Sequence, residues 1–126
     1  TTVDSARAAK KLKMGTVMGG PNIVRGGSHS GNVSASYLAE LDLLDALSSD
    51  YAPSSLLHSA FILNLKHRIP LPKAISKVTE APAKMVGLSD RGVLQNGFRA
   101  DLLEVELTKD HIPIVHRVIS KGKRVI

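Results

Sequence analysis

The sequence predicts an α/β protein in two parts, a piece of a larger barrel or sheet followed by a cluster of short strands. Up to about residue 88, helical apolar spacing alternates with short strand candidates, a pattern typical of parallel strands joined by crossover helices. Only two or three strand candidates precede that point, too few for a parallel sheet covered on both faces. After it, short β segments separated by turn signals replace the helices. We therefore divide the chain into residues 1–88 and 89–126.

The elements of the first part follow from apolar spacing and from residues that begin or end helices. Thr2 or Asp4 can cap the first helix, Asn32 or Ser34 a second, and Pro53 suits the first turn of another. The predicted elements are a helix over 3–13, a strand over 16–18, an irregular segment over 19–32, a helix from 34, a strand over 45–50, a helix from 53, and helices over 73–79 and 82–87.

The second part carries four strand candidates. They are residues 92–94, 100–107, 114–119 and 124–126. Turn-forming residues lie between them, among them the Asn-Gly pair at 96–97 and the Lys-Gly-Lys segment at 121–123.

Composition excludes several classes of protein. A chain of 126 residues cannot close an eight-fold β/α barrel, which needs about 200 residues. The absence of cysteine excludes a disulfide framework and a thiolate metal site, and no segment approaches the roughly 20 apolar residues of a membrane span. The net charge of +6 favours anionic partners. Four dispersed aromatic residues supply no stacking platform, so we expect no nucleic-acid partner, no membrane partner and a cytoplasmic location.

Two segments carry candidate site residues. The glycine-rich segment 18–32 follows a strand and opens a helix, and it offers hydrogen-bond donors to a phosphate or phosphonate at Arg25, Ser28, His29 and Asn32. An ordinary surface loop is the competing interpretation. Asp50 ends a strand, where a carboxylate can bind a metal and accept a proton. From local sequence alone, a helix N-cap formed by Asp50 or Ser49 is favoured over the metal-binding role.

A complete metal site is not encoded in this sequence. Neither a His-x-His nor a His-Glu-x-x-His pattern occurs. The histidines outside the glycine-rich segment lie on a helix or among strands and turns, where ordinary structural roles are expected; they are His58, His67, His111 and His116.

Taken together, residues 19–32 (GGPNIVRGGSHSGN) and 47–51 (LSSDY) resemble the diphosphatases of phosphonate catabolism, within the amidohydrolase superfamily. Residues 87–103 and 118–125 are similar to the strands of a small β-sandwich found in many members of that superfamily. The resemblance covers essentially the whole chain.

The resemblance implies a binuclear-metal (β/α) barrel with an attached β-sandwich. Residues 1–88 would supply the seventh and eighth barrel strands with their helices, and residues 89–126 would supply sandwich strands. Asp50 takes the position of the eighth-strand carboxylate, which binds a divalent ion, Zn²⁺ or similar, and accepts the proton of the hydrolytic water. Arg25, Ser28, His29 and Asn32 are expected to bind substrate. The remaining metal ligands would precede Thr1.

The implied reaction belongs to the carbon–phosphorus lyase pathway. Water cleaves α-D-ribose 1-methylphosphonate 5-triphosphate to the 5-phosphate and pyrophosphate. We expect the chain alone to be incomplete and inactive, and to form a homo-oligomer or to require a missing amino-terminal portion. Two alternatives stay open: an amidohydrolase fragment for another substrate, and a non-catalytic module that binds phosphate or a partner chain.

Overall fold

Two small sheets organise the chain, one parallel and one antiparallel. The structure is a computed structural model that describes residues 2–27 and 31–126. Strand β1 (Val17–Gly19) pairs in parallel with β2 (Ala46–Ser48), with Gly19 opposite Ser48. The antiparallel sheet has the order β3-β4-β5, formed by β3 (Leu102–Leu107), β4 (Pro113–Ser120) and β5 (Lys123–Arg124). The mixed α/β class predicted from the sequence is thereby confirmed.

Six helices occur in the described ranges: α1 (Val3–Lys11), α2 (Gly20–Arg25), α3 (Ala35–Glu40), α4 (Ser55–Leu65), α5 (Leu71–Ser76) and α6 (Glu80–Met85). Within those ranges, no helix has the length and apolar character that crossing a membrane requires.

Two helix starts are fixed by the residues that the sequence indicates. The Thr2 hydroxyl accepts a hydrogen bond from the Ser5 backbone N–H at 3.1 Å, which caps α1. The Ser34 hydroxyl accepts one from the Tyr37 N–H at 3.2 Å, which caps α3. Of the two candidates predicted at each helix start, Thr2 and Ser34 are the caps.

The core lies where α3, β2 and α4 meet. Leu38, Leu44 and Leu63 are almost completely buried there. Each such side chain contributes roughly 1.5–3 kcal/mol by leaving water. The loop before β2 is tied to the start of β1, because the Asp45 carboxylate accepts from the Thr16 N–H at 2.9 Å. The core and this tie together fix the relative position of the two parallel strands.

Lys77 is buried at the start of β2. Its amine donates a hydrogen bond to the Leu44 carbonyl, and its own carbonyl accepts from the Leu47 N–H at 2.9 Å. Burial lowers the pKa of the Lys77 amine, since desolvation penalises the charged form. Lys77 thus holds the edge of β2 that faces away from β1.

Three sequence predictions need correction. Residues 92–94 form no strand: the chain bends at residues 92 and 93, and Gly92 has a φ of +96°, outside the β region. The segment 19–32 contains α2, which has Pro21 in its first turn and Gly26 as a left-handed C-cap. Strand β2 is shorter than predicted and ends at Ser48; Asp50 follows in a turn with a φ of +52°. The remaining element boundaries differ from the predictions by one to three residues.

Asp42 links three elements and makes stability depend on pH. Its carboxylate lies 2.7 Å from the Lys73 amine and 3.3 Å from the Lys10 amine. The hydrogen bond from Lys73 is the main cause that holds the pKa of Asp42 below its ordinary value of 3.8; burial opposes it, and the hydrogen bond from Lys10 adds to the lowering. The native carboxylate therefore stays charged at pH values where the unfolded chain is already protonated. The resulting stability is present above pH 3.8 and is lost as the pH falls below it.

We expect Asp42→Asn to lower the free energy of unfolding by less than about 1 kcal/mol at neutral pH. The Asp42 side chain is 58% exposed, and ion pairs at the surface contribute little to stability. Asparagine tolerates the left-handed backbone of this position, where φ is +57°. Thermal unfolding followed by circular dichroism should show this difference at pH 7, and the difference should shrink progressively as the pH falls below 3.8. The exposed turn residue Asp110 provides the control; an Asp42→Asn gap that persists undiminished in acid would contradict the assignment.

Candidate functional site at the carboxyl ends of the parallel strands

The parallel pairing brings the carboxyl ends of β1 and β2 to one edge of the sheet. Gly19 ends β1, and Asp50 follows the end of β2 by two residues. The Asp50 Oδ2 atom lies only 3.1 Å from the position that a Cβ on Gly19 would occupy. The absence of a side chain at Gly19 therefore leaves room for the carboxylate at the end of the neighbouring strand.

Asp50 is not a helix cap. Helix α4 begins at Ser55 with Ser54 as its N-cap, and no side chain accepts a capping hydrogen bond there. The Asp50 residue is exposed, and its positive φ turns the chain directly after β2. The capping interpretation is wrong, and the structure leaves the carboxylate at the strand edge without a role in starting α4.

Helices α2 and α4, which follow β1 and β2, pack closely against each other next to this edge of the sheet. A Cβ on Gly20 would lie 2.7 Å from the Ser55 hydroxyl, and the Ser59 hydroxyl lies 2.9 Å from the Gly20 carbonyl, to which it can donate. Both serines are buried. Because each strand is followed by one of these helices, their contact sets where the two connections begin.

Arg25 and Tyr51 meet at the same edge. Arg25 is the last residue of α2, and Tyr51 directly follows Asp50. The guanidinium carbon of Arg25 lies 5.3 Å from the centre of the Tyr51 ring, within the range of a cation–π contact. Sequence reasoning assigned no role to Tyr51; its position beside Asp50 in the LSSDY segment was the available signal.

Asn22 joins the two ends of the glycine-rich loop. Its side-chain oxygen accepts a hydrogen bond from the Ala35 N–H at 2.8 Å, so α2 and the start of α3 are tied together. Asn32 is exposed on the loop between them. Ser28 and His29 lie outside the described residues.

The structure therefore brings two of the five predicted site residues to one edge. Asp50 lies there directly, and Arg25 is linked to it through Tyr51. Across residues 2–27 and 31–126, no group of three or more His, Asp or Glu side chains is close enough to hold a metal ion. Asp50 can supply one oxygen ligand.

Two of the histidines with expected structural roles have carboxylate partners. The His67 Nδ1 atom lies 2.7 Å from a Glu40 carboxylate oxygen, and the His116 Nε2 atom lies 2.8 Å from one of Glu106. The first pair links α3 to the end of α4, and the second lies across β3 and β4. Both contacts connect neighbouring elements of the fold.

Parallel strands with helical connections, and charged side chains at the carboxyl ends of those strands, define an α/β protein with its candidate site at the strand ends. No protein-family model matches the chain.

The chain is 53% identical over 127 residues to α-D-ribose 1-methylphosphonate 5-triphosphate diphosphatase of Escherichia coli (strain K12). The match covers 99% of this chain and 33% of the relative, so the chain spans about one third of the length of that protein. The matched third is the carboxyl-terminal part. The resemblance found in the sequence motifs is thereby confirmed.

Proposed function

We propose that the chain is the carboxyl-terminal part of a metal-dependent diphosphatase of phosphonate catabolism. Its substrate is α-D-ribose 1-methylphosphonate 5-triphosphate. The observation that carries the proposal is the Asp50 carboxylate, held at a strand edge beside Gly19 in a chain that is 53% identical to a diphosphatase named for this substrate. The class of the relative is a hydrolase, and an exposed carboxylate at the end of a strand suits hydrolysis.

The architecture of the intact protein is a (β/α) barrel in which β1 and β2 are the seventh and eighth strands. Their parallel pairing and the helices that follow each of them support this assignment. The Asp50 edge then lies at the carboxyl-terminal face of the barrel, where barrel enzymes build their active sites. The start of β2, where Lys77 is buried, belongs to the opposite face, whose residues serve stability.

The antiparallel sheet is half of a β-sandwich. Alternate residues of β3 and their partners on β4 share one face, and all of them are apolar. They are Leu103, Val105, Leu107, Pro113, Val115 and Val118. Leu103 is 56% exposed, so this face lacks a complete cover within the described chain. A second sheet from the remainder of the parent protein, or from another copy, covers it.

An open cavity beside the sheet supports the same conclusion. It has a volume of about 1040 Å³ and lies between the sheet and helices α4 and α5. Phe61, Ile75 and Leu102 are among its lining residues. Large exposed apolar surfaces mark places where other polypeptide binds, so further polypeptide fills this space in the intact hydrolase.

Asp50 fits a divalent metal as a single oxygen ligand. Carboxylate oxygen binds Zn²⁺ and similar ions, and the exposure of Asp50 leaves it accessible. A catalytic zinc site uses three protein ligands, so the others come from the two thirds of the hydrolase that this chain does not span. When bound, the ions lower the pKa of water and neutralise charge on the phosphate oxygens.

The residues of this chain accept the proton and bind the substrate. Asp50 accepts a proton from the water that attacks the phosphorus next to the ribose 5-oxygen. The bond from that phosphorus to the bridging oxygen breaks, and pyrophosphate leaves with the bonding electrons. Arg25 binds the polyphosphate oxygens by charge-assisted hydrogen bonds, with Ser28, His29 and Asn32 as further donors. The net charge of +6 favours a substrate of this kind.

Phosphorus NMR of the reaction mixture tests the proposal. We expect the full-length hydrolase, supplied with Zn²⁺ or Mn²⁺, to convert the triphosphate into the 5-phosphate and pyrophosphate. The 126-residue chain alone should release no pyrophosphate above the uncatalysed rate. Orthophosphate as the first product of the full-length protein, or robust turnover by the isolated chain, would contradict the proposal.

A further inference from the structure

Among the described residues, Arg25 contacts an aromatic ring and pairs with no acidic side chain. Its guanidinium lies over Tyr51, and no carboxylate among residues 2–27 and 31–126 forms an ion pair with it. Other surface arginines of the chain do pair with acids: Arg91 with Asp90 and Arg117 with Glu104. A guanidinium that lies over the face of an aromatic ring is not neutralised by a carboxylate. Its charge and its N–H donors therefore stay available for an anion.

The ring comes from the residue that follows the proposed proton acceptor. Asp50 has a left-handed backbone, which turns the chain after β2 and sends Tyr51 toward the end of α2. Two consecutive residues thus have different roles at this edge: Asp50 places a carboxylate beside Gly19, and Tyr51 contacts the guanidinium of Arg25. The turn at Asp50 therefore determines the spacing between the Asp50 carboxylate and the Arg25 guanidinium.

We propose that Tyr51 is a positioning residue that holds Arg25 at the carboxyl edge of β1 and β2 for binding of the substrate polyphosphate. The inference rests on the proposed function for the identity of the substrate. Its physical basis is preorganisation. Arg25 ends a helix of six residues, is exposed, and precedes two glycines, so without the ring its side chain must be ordered when the anion binds.

Binding of inorganic tripolyphosphate to the full-length hydrolase tests this role without requiring turnover. Isothermal titration calorimetry compares wild type with Tyr51→Ala, Tyr51→Phe, Arg25→Ala and the double variant Tyr51→Ala/Arg25→Ala. Tyr37→Ala is the matched control, because Tyr37 is also exposed and contacts no cation among the described residues. Tyr51 is 62% exposed, so its variants should fold, and circular dichroism verifies this.

We expect Tyr51→Ala to raise the Kd for tripolyphosphate about two- to fivefold, the loss of an exposed cation–π contact. Tyr51→Phe, which keeps the ring, should bind like wild type. On the Arg25→Ala background, Tyr51→Ala should have no further effect. The KM for the triphosphate substrate should follow the same order, with kcat nearly constant.

Three results would overturn the inference: wild-type affinity in Tyr51→Ala, equal losses in Tyr51→Ala and Tyr51→Phe, or an undiminished Tyr51 effect without Arg25. Failure of wild type to bind tripolyphosphate would overturn it as well. Absence of pyrophosphate release, with the expected order of tripolyphosphate affinities intact, would contradict the proposed reaction and leave the role of Tyr51 supported.

Discussion

Asp50→Asn is expected to lower kcat for pyrophosphate release by the full-length hydrolase about 10³- to 10⁴-fold, the upper range for loss of a general base. The amide cannot accept the proton of the attacking water, and it is a poorer ligand for a divalent ion than the carboxylate. Because Asp50 is exposed and caps no helix, the substitution should leave the fold intact. The unfolding temperature should change by less than about 2 °C, as for surface substitutions.

Asp110→Asn is the matched control for this variant. Asp110 is also an exposed turn aspartate, and it forms no ion pair within the described ranges. Its kinetics should equal those of wild type. If Asp50→Asn retains kcat within a few fold, Asp50 takes no part in the reaction.

Gly92→Ala is expected to be the most destabilising of the proposed substitutions. A Cβ at this position would lie 2.8 Å from the Glu80 Cα and 3.1 Å from the Thr79 carbonyl oxygen. The backbone cannot yield as a flexible side chain can, and the φ of +96° adds conformational strain. We expect a loss of about 3–4 kcal/mol in the free energy of unfolding, measured by urea denaturation.

Gly97→Ala separates the two causes of that loss. Gly97 has a comparable φ of +85°, but a Cβ there would meet nothing within 4 Å. Its replacement should cost only about 1–2 kcal/mol, the conformational part alone. Equal losses of unfolding free energy in the two variants would show that the close approach of Gly92 to the start of α6 contributes nothing to stability.

The sequence predicts those parts of the fold that depend on local chemistry. Thr2 and Ser34 cap helices because a side-chain hydroxyl close to a helix start satisfies a free N–H, which requires no tertiary information. Helix α2 was missed although Pro21 and Gly26 both signal its ends, because the glycine content of the segment favoured a loop. The false strand at residues 92–94 came from β-favouring residues next to Gly92, whose positive φ and close approach to the Glu80 backbone are not signalled by the local sequence.

Lys77 shows why the burial of a particular side chain could not be predicted from the sequence. Lysine is almost always exposed, and nothing near Lys77 in the sequence marks it as different. Its amine finds the Leu44 carbonyl 33 residues away, a partner that only the packing of the helices against β2 provides.

Much of the candidate site is non-local in the same sense. The sequence singled out Asp50 and Arg25, but the local pattern around Asp50 favoured a helix cap over a metal ligand. The choice between these roles depends on where α4 begins and on the parallel register that places Gly19 beside the carboxylate. The contact of Arg25 with Tyr51 spans two strand–helix connections, so local pattern could not predict it.

Metal content of the purified full-length hydrolase tests the central claim most directly, because it reports on Asp50 as a ligand independently of turnover. Inductively coupled plasma mass spectrometry after exhaustive dialysis compares wild type, Asp50→Asn and Asp110→Asn. Wild type and Asp110→Asn should retain the same number of divalent ions per subunit, and Asp50→Asn should retain fewer. Full metal content in Asp50→Asn would contradict the assignment of Asp50 to the metal site.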